Sequence, residues 1–319
     1  MIMAAGLGTR LRPFTEKKPK PFLPVLGVPV VQFAIDSLKE AGIQKAVINI
    51  HHLAEKAKQE IAALDWGGID CTVSDESKLL LGSGGGVRKA LPILGKRPFL
   101  LFNADVICGV DLQALIQQHF YLRKKHQVRL SLAVCKKPTV SAGKYREIIF
   151  HKSSPHLIAG LGGPNSGVPF YMGVAVIEPE AVALLESETP ADFVSQILLP
   201  AIKEKKAGAF FSDEPWYDIG SPLLWLQAHW GVLDAWQKGK LPQVWQNRLN
   251  CAELAPSKQS ANWILPCYWR GNSDPPDHLG PNAVMYGAAN SSSRFSHGIG
   301  LDGFWVNVDE TEGCLGLSG

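Results

Sequence analysis

The chain has 319 residues, a length typical of one large domain or two smaller ones. Hydrophobic residues make up 46% of it and charged residues 19%, which excludes a largely disordered protein. The 32 Lys and Arg residues barely exceed the 29 Asp and Glu residues, so the net charge of +3 argues against general nucleic-acid binding.

Two further features of the composition indicate where the protein works. No uncharged apolar run reaches the roughly 18 residues that a membrane span needs, and the first residues do not resemble a signal peptide. The six cysteines are widely spaced and form no Cys-x-x-Cys pair, which favours reduced thiols over a zinc or redox motif. We therefore expect a cytoplasmic protein that binds neither membranes nor nucleic acid.

Up to about residue 136, short apolar runs alternate with amphipathic stretches. Strands are predicted at Met1–Ala4, Ala46–Ile50, Cys71–Ser74, Phe99–Phe102 and Arg129–Cys135. Helices are predicted at Val30–Ala41, Ala54–Leu64, Gly85–Leu94 and Leu112–Lys125. Strands that alternate with helices of this length indicate right-handed βαβ crossovers. The expected fold class is therefore α/β, with a doubly wound, mostly parallel sheet that is covered on both faces.

From residue 145 to residue 217 the pattern becomes richer in β-structure. Strands are predicted at Glu147–Phe150, Leu157–Ala159, Tyr171–Ile177 and Ala209–Ser212, and helices near Pro179–Glu186 and Phe193–Lys205. A helix over Leu223–Gln237 carries apolar residues at helical spacing. We expect this helix to close a first domain that spans residues 1–238.

The composition changes after Lys238. Of the 81 residues from 239 to 319, 31 are Pro, Gly, Ser or Asn, yet the segment also contains four tryptophans. This mixture predicts short strands with many turns rather than a disordered tail. Residues 239–319 are therefore expected to form a β-rich C-terminal extension that serves packing, pocket covering or oligomer contacts rather than catalysis. The run Leu279–Val284 resembles one hexapeptide of a left-handed β-helix, but a single copy does not predict a repeat.

The most informative segment opens the chain, with AAGLGTRLRP over residues 4–13 and PKPFLPV over residues 19–25. Gly6 and Gly8 leave room for backbone N–H groups to form an anion-binding nest. Arg10 can reach phosphate oxygens with its forked donors, and Lys20 adds a compact positive charge. Because neither a Walker A sequence nor the third glycine of a dinucleotide fingerprint is present, these features favour another kind of polyphosphate site.

Two aspartates follow predicted strands. Asp105 follows the run Leu101–Ala104, at the strand end where α/β folds bind ligands, although an isolated aspartate there is more often a turn or helix cap. Asp218 follows a short strand and precedes a helix, and Ser221 is as good a candidate for the N-cap of that helix as Asp218 is. Two carboxylates and nucleotide phosphates together supply the oxygen-rich, hydrated surroundings that Mg²⁺ favours.

A glycine-rich turn, GSGGG, occupies residues 82–86. Four glycines in five positions cost backbone entropy, so we expect that another group approaches the turn closely. A flexible linker is the alternative interpretation.

These segments together resemble the sugar-1-phosphate nucleotidyltransferases, whose signature is Gly-x-Gly-Thr-Arg-Leu-x-Pro followed by Pro-Lys-Pro and Pro-Val. The resemblance extends to about residue 238 and implies transfer from a nucleoside triphosphate to a sugar 1-phosphate, with Mg²⁺ as cofactor. It implies that Arg10 and Lys20 are catalytic and that Asp105 and Asp218 bind the metal. It further implies contacts to the nucleotide from Ala5, Gly6, Gly8, Thr9, Arg10, Lys20, Glu76, Gly82, Ser83 and Gly85, and contacts to the sugar from Asn103, Asn165 and Gly173.

Within that family, the sequence is most similar to members that act on N-acetylmuramate 1-phosphate with UTP, and then to mannose-1-phosphate guanylyltransferases. Many relatives carry Glu-Lys-Pro before the stretch that starts at Asn165, with the lysine on the sugar phosphate. Here residues 159–164 read AGLGGP, so that lysine is absent. The glycines predict room for a bulky sugar, and the nearest basic residues in sequence are Lys144, Arg146 and Lys152.

Several alternatives remain open from the sequence. The chain could act on mannose or glucose 1-phosphate, or it could be a regulatory paralogue that binds a nucleotide sugar without catalysis. A phosphocholine cytidylyltransferase shares the opening motif. A homo-oligomer is compatible with all of these interpretations.

Overall fold

The computed structural model describes residues 1–136 and 145–251, together with short strands between residues 267 and 307. The strands of the first part are β1 (Ile2–Met3), β2 (Pro24–Val25), β3 (Val28–Pro29), β4 (Lys45–Ile50), β5 (Asp70–Asp75), β6 (Phe99–Asn103), β7 (Val106–Cys108), β8 (Leu130–Cys135), β9 (Ile148–His151), β10 (Ser154–Leu161), β11 (Phe170–Ile177), β12 (Ala207–Ser212) and β13 (Trp216–Asp218). The strands of the second part are β14 (Cys267–Arg270), β15 (His278–Leu279), β16 (Ala283–Tyr286), β17 (Arg294–Phe295), β18 (Gly298–Leu301) and β19 (Phe304–Asn307).

The helices of the described residues are α1 (Phe14–Lys17), α2 (Val30–Glu40), α3 (Ala54–Ala63), α4 (Gly82–Leu94), α5 (Leu112–His126), α6 (Glu180–Ala183), α7 (Leu199–Lys203), α8 (Pro222–Gln237) and α9 (Gln243–Cys251). Short 3-10 turns cover Thr9–Leu11 and Lys20–Phe22, and a π-helical turn over Val194–Leu198 precedes α7. None of the helices in this described part is both long and apolar enough to cross a membrane.

The chain divides into two compact units. The first unit comprises Met1–Leu7, Pro19–Phe22 and Val30–Trp216, and the second comprises Gly8–Lys18, Leu23–Pro29 and Tyr217–Gly319. This division differs from the boundary at residue 238 that the composition suggests, because two N-terminal segments belong to the same unit as the C-terminal part.

The first unit is built on a 9-stranded sheet with the order β5-β4-β1-β6-β11-β8-β12-β10-β9. Strands β5, β4, β1 and β6 are mutually parallel, and β12 is parallel to β8. Only β11 and β10 run opposite to the rest of this sheet, since each pairs antiparallel with both of its neighbours. The predicted mostly parallel α/β sheet is therefore confirmed.

Helices cover both faces of this sheet. Alternate residues of β4 point to opposite sides, so Ile48 joins one buried cluster and Val47 the other. The first cluster includes apolar residues of α2, α3 and α5, while the second includes those of α4 and α7. This two-sided burial explains why the strands read as continuous apolar runs and confirms the doubly wound arrangement.

The second unit contains a repeated strand arrangement that the sequence did not reveal. Strands β14, β16 and β18 pair in parallel, with Cys267 opposite Ala283 and Ala283 opposite Gly298. Strands β15 and β17, which alternate with them along the chain, also pair in parallel. Parallel pairing of segments about 15 residues apart is typical of solenoid coils. The hexapeptide run Leu279–Val284 lies partly outside the described residues.

The prediction that the extension is β-rich is right for these strands and wrong for α9. Trp245 and Leu249, four positions apart, are both fully buried in this helix. That spacing places them on one helical face, a signal that the turn-rich composition of the segment obscured. Trp263 and Lys144 lie outside the described residues.

Candidate active site

A cavity of about 270 Å³ lies in the first unit, where β1, β4 and β6 reach their carboxyl ends. It is lined by Met3, Ala4, Ala5, Gly6, Lys20, Pro21, Asn49, Leu80, Gly82, Ser83, Asn103 and Asp105. The carboxyl edge of a parallel sheet is where α/β folds bind ligands. The structure therefore brings together seven of the residues predicted from the opening loop, the glycine-rich segment and the end of β6 around Asp105.

Lys20 and Asp105 form an ion pair on one wall of this cavity. Nζ of Lys20 donates to Oδ2 of Asp105 at 2.5 Å. Lys20 is only 8% exposed, and a lysine at that depth requires an anionic partner to offset its lost hydration. The Asp105 side chain is 37% exposed, so its carboxylate is paired with Lys20 and is also accessible from the cavity.

Glu76, predicted to contact the nucleotide, is fully buried and does not line the cavity. Its Oε1 accepts a hydrogen bond from Asn49 Nδ2 at 2.7 Å, and its Oε2 accepts one from the Leu81 N–H at 3.2 Å. Asn49 Oδ1 in turn accepts from the Ala4 N–H at 2.7 Å. Burial raises the pKa of Glu76, and the hydrogen bonds from Asn49 and Leu81 oppose that shift.

This network assigns Glu76 a supporting position. Its carboxylate holds the start of the glycine-rich turn and, through Asn49, the backbone at Ala4. Asn49 lines the cavity and was missed in the sequence analysis. The sequence did carry a signal for Asn49, because it is a polar side chain inside the apolar run of β4. A buried polar side chain needs a hydrogen-bond partner.

Residues 82–86, predicted as a turn, form the start of α4, and they allow a close approach, as predicted, but the approaching groups belong to the protein. A Cβ at Gly85 would lie 2.5 Å from the carbonyl oxygen of Thr189, and one at Gly86 would lie 2.6 Å from Oε1 of Glu76. The Gly85 N–H donates to the Ala191 carbonyl at 3.2 Å. Gly85 is therefore needed for packing against residues 189–191.

Gly85→Ala is expected to lower the free energy of unfolding by about 1–3 kcal/mol, because the added methyl overlaps a backbone carbonyl that cannot rotate away. Urea unfolding monitored by circular dichroism measures this change. Gly163→Ala is the matched control, since a Cβ at Gly163 meets nothing within 4 Å and should alter stability by less than about 0.5 kcal/mol. Equal stability of the two variants would contradict the packing role.

The residues predicted to bind the sugar are only partly brought together. Asn103 ends β6 and lines the cavity. Gly173 lies beside it and has a φ of +84°. A Cβ added at Gly173 would lie 3.2 Å from the Asn103 side chain, a tight contact. Asn165 is exposed in the loop between β10 and β11 and does not line the cavity.

The glycines from which room for a bulky sugar was predicted lie elsewhere. Gly160 is in β10, and a Cβ at Gly162 would lie 2.5 Å from Ser166 Oγ. Neither these two nor Gly163 lines the described cavity. Arg146 donates from Nε to the Gly162 carbonyl at 3.0 Å, so its side chain is engaged with this loop.

Arg10 and Asp218 belong to the second unit. Gly8 adopts a φ of +64° and begins the 3-10 turn that carries the exposed Arg10 side chain. A Cβ at Gly220 would lie 3.0 Å from both carboxylate oxygens of Asp218 and 3.2 Å from Nη2 of Arg10. The guanidinium and the carboxylate therefore flank the same small space, which the missing side chain at Gly220 leaves open.

The predicted Mg²⁺ requires oxygen donors from the protein. Within the described residues there is no group of three or more His, Cys, Asp or Glu side chains placed to hold a metal ion. Mg²⁺ often uses one or two carboxylates and takes its remaining ligands from phosphates and water. A partly exposed carboxylate on a cavity wall, as at Asp105, fits that requirement, whereas an all-protein cage would not be expected.

Comparison with known proteins gives an independent result. Residues 1–145 match the family model described as Nucleotidyl transferase. N-acetylmuramate alpha-1-phosphate uridylyltransferase of Neisseria meningitidis serogroup B is 30% identical over 221 residues, which cover 69% of this chain and 92% of that protein. Mannose-1-phosphate guanyltransferase 2 of Candida glabrata is 28% identical over 228 residues, 70% of this chain and 61% of that protein.

A solved structure shows the same fold. HddC from Yersinia pseudotuberculosis superimposes with a TM-score of 0.59 at 19% identity, covering 72% of this chain and 97% of that one. At this identity the likeness concerns the fold alone.

Proposed function

The chain belongs to the sugar-1-phosphate nucleotidyltransferase family, and we propose that it transfers a nucleotidyl group from a nucleoside triphosphate to a sugar 1-phosphate. The observation that carries this proposal is the cavity at the carboxyl edge of the sheet, with the Lys20–Asp105 pair on its wall. A phosphate-binding loop, a buried cation and a carboxylate at one edge are what phosphoryl chemistry requires.

In the proposed reaction, a phosphate oxygen of the sugar 1-phosphate attacks the α-phosphorus of the triphosphate. A new P–O bond forms there while the bond from the α-phosphorus to the departing pyrophosphate breaks. The attacking phosphate is already ionised at neutral pH, so no general base is needed. Catalysis then depends on positioning and on neutralising charge.

We assign these tasks to residues of the opening loop. The backbone of Ala4–Gly6 lines the cavity, and a Cβ at Gly6 would meet nothing within 4 Å, so this backbone faces open space that phosphates can occupy. Lys20 holds a phosphate oxygen on the same wall, and Arg10 stabilises the charge that develops on pyrophosphate. Asp105 is a proposed ligand of Mg²⁺, and the family resemblance proposes Asp218 as a second; when bound, the ion would neutralise phosphate charge.

The reaction is tested by pyrophosphate release from five nucleoside triphosphates crossed with several sugar 1-phosphates and phosphocholine. We expect release to require a sugar 1-phosphate. Release with phosphocholine alone would identify the alternative cytidylyltransferase, and tight nucleotide-sugar binding without any release would identify a regulatory paralogue.

For the substrate pair, we propose N-acetylmuramate 1-phosphate and UTP. The relative from Neisseria meningitidis and the absence of Glu-Lys-Pro before Asn165 support this choice. We expect kcat/KM for this pair to exceed that for glucose, mannose or N-acetylglucosamine 1-phosphate by at least about tenfold, or about 1.4 kcal/mol. A tenfold preference for mannose 1-phosphate with GTP would instead favour the activity named for the Candida glabrata relative.

A further inference from the structure

The second unit joins the Arg10 loop to the C-terminal extension. Residues 8–18, which carry Arg10, and residues 23–29 belong to the same compact unit as Tyr217–Gly319. Within this unit the Arg10 loop can be supported by residues 23–29, by α8 and by the strands that follow α8.

The contacts begin at the loop itself. Thr15 Oγ1 donates to the Gly8 carbonyl at 2.9 Å and so closes the segment that carries Arg10. The buried Phe14 ring meets Trp225 of α8 edge-on, with ring centroids 5.3 Å apart. Trp225 is fully buried and donates from Nε1 to the Pro24 carbonyl at 2.7 Å.

Tyr286, in strand β16 of the extension, completes this support. Its ring lies parallel to that of Trp225, with centroids 6.5 Å apart and an interplanar angle of 8°. Its hydroxyl contacts Nε2 of the buried His229 and accepts a hydrogen bond from the Gly27 N–H at 3.2 Å. One residue of the extension thus touches both α8 and the β2–β3 hairpin.

The protonation states follow from the partners. Nδ1 of His229 lies 2.8 Å from the Trp225 carbonyl, which can only accept, so this nitrogen carries the proton. Burial lowers the pKa of His229 to about 4, which leaves Nε2 of the neutral ring as an acceptor at pH 7. The Tyr286 hydroxyl therefore donates to His229 and accepts from Gly27, and its loss would remove both of these hydrogen bonds.

The Tyr286 hydroxyl meets the hairpin at a turn with unfavourable backbone angles. Leu26 and Gly27 both have positive φ values, 48° and 75°, which form the tight turn between β2 and β3. Leu26 is a poor residue for that conformation because of its Cβ, so external contacts must help to hold the turn. The Tyr286 hydroxyl supplies one of them directly.

We propose that Tyr286 is a positioning residue for the Arg10 loop, and that the C-terminal extension influences catalysis through this one side chain. This inference rests on the proposed function of Arg10. It departs from the expectation that residues 239–319 serve only packing, covering or assembly.

The test uses the full chain with Tyr286→Phe, which keeps the ring and removes only the hydroxyl. We expect kcat to fall about tenfold, since a displacement of about 1 Å can cost on the order of 10²-fold, while KM for the sugar 1-phosphate changes less than about twofold. Hydrogen exchange at backbone amides of residues 8–18 and 24–29 should become faster.

Ile299→Val is the matched control. Ile299 is fully buried in the same extension, and losing one methylene there destabilises the fold modestly without removing a contact to the hairpin. It should leave kcat and exchange in residues 8–29 unchanged. Equal loss of kcat in both variants, or wild-type exchange in Tyr286→Phe, would overturn the positioning role.

The two proposals fail in distinguishable ways. If the wild-type chain released no pyrophosphate with any substrate pair, the proposed function would be wrong, yet the exchange comparison would still report on the support of the loop.

Discussion

Asp105→Asn should lower kcat by about 10²-fold or more at saturating Mg²⁺, comparable with the loss of a preorganised charged group from an active site. The amide keeps the shape of the side chain and can still accept from Lys20, so the chain should still fold, although with lower stability because Lys20 loses its anionic partner. It loses the negative charge that balances a lysine only 8% exposed and that suits it as a metal ligand.

Asp218→Asn should have an effect of similar size, measured separately because this carboxylate belongs to the second unit and lies beside Gly220. Steady-state pyrophosphate release over a Mg²⁺ titration, with circular dichroism to verify folding, gives both results. Near-wild-type turnover of either variant would remove that residue from the metal assignment.

Asp111→Asn is the control for exchanging a carboxylate for an amide. Asp111 caps α5 by accepting from the Ala114 N–H at 2.9 Å and does not line the cavity. Asparagine caps helices about as well as aspartate, so activity and stability should both be retained.

Arg10→Ala should reduce transition-state stabilisation by about 2–4 kcal/mol, which corresponds to a loss of roughly 30- to 900-fold in kcat/KM. The guanidinium is exposed and flanks the space over Gly220 with Asp218, so its removal should leave the packing of the second unit unchanged. Arg10→Lys should recover only part of the loss, because an ammonium group cannot donate in the fixed fork that phosphate oxygens accept.

Arg12→Ala tests whether the loss is specific to Arg10. Arg12 is nearby in the same loop, and its side chain is 60% exposed in a weak ion pair with Glu16 at 4.0 Å. We expect its removal to change kcat/KM less than about threefold, as for a distant charge in salt.

Full recovery in Arg10→Lys would mean that Arg10 acts through net charge alone.

Local patterns predicted most of the longer elements in the first 136 residues. The apolar runs and the 3.6-residue periods predicted β4, β5, β6 and β8, and α2, α3 and α5, to within about two residues, because periodicity depends on near neighbours. Short elements such as β2, β3 and β7 were missed, since two or three residues carry no periodic signal. The opening motif singled out Lys20 and the run Leu101–Ala104 singled out Asp105, but neither pattern predicts that the two side chains pair.

Tertiary structure decided the role of the supporting residues. Glu76 and Asn49 are 27 positions apart and Asn49 and Ala4 are 45 apart, so no local pattern indicates that they share one buried network. The need for glycine at position 85 likewise comes from the backbone carbonyl oxygen of Thr189, which is far along the chain.

The role of the extension was beyond local patterns for the same reason. Its composition predicted turns and strands, but not that the Tyr286 hydroxyl meets Gly27, which lies 259 positions earlier. Residue types and spacing determined which groups could do phosphate chemistry and where most strands and helices begin. Packing between distant segments decided which buried polar groups pair and where two backbones come too close for a side chain. Each such contact depends on the positions of both partners, which no local pattern contains.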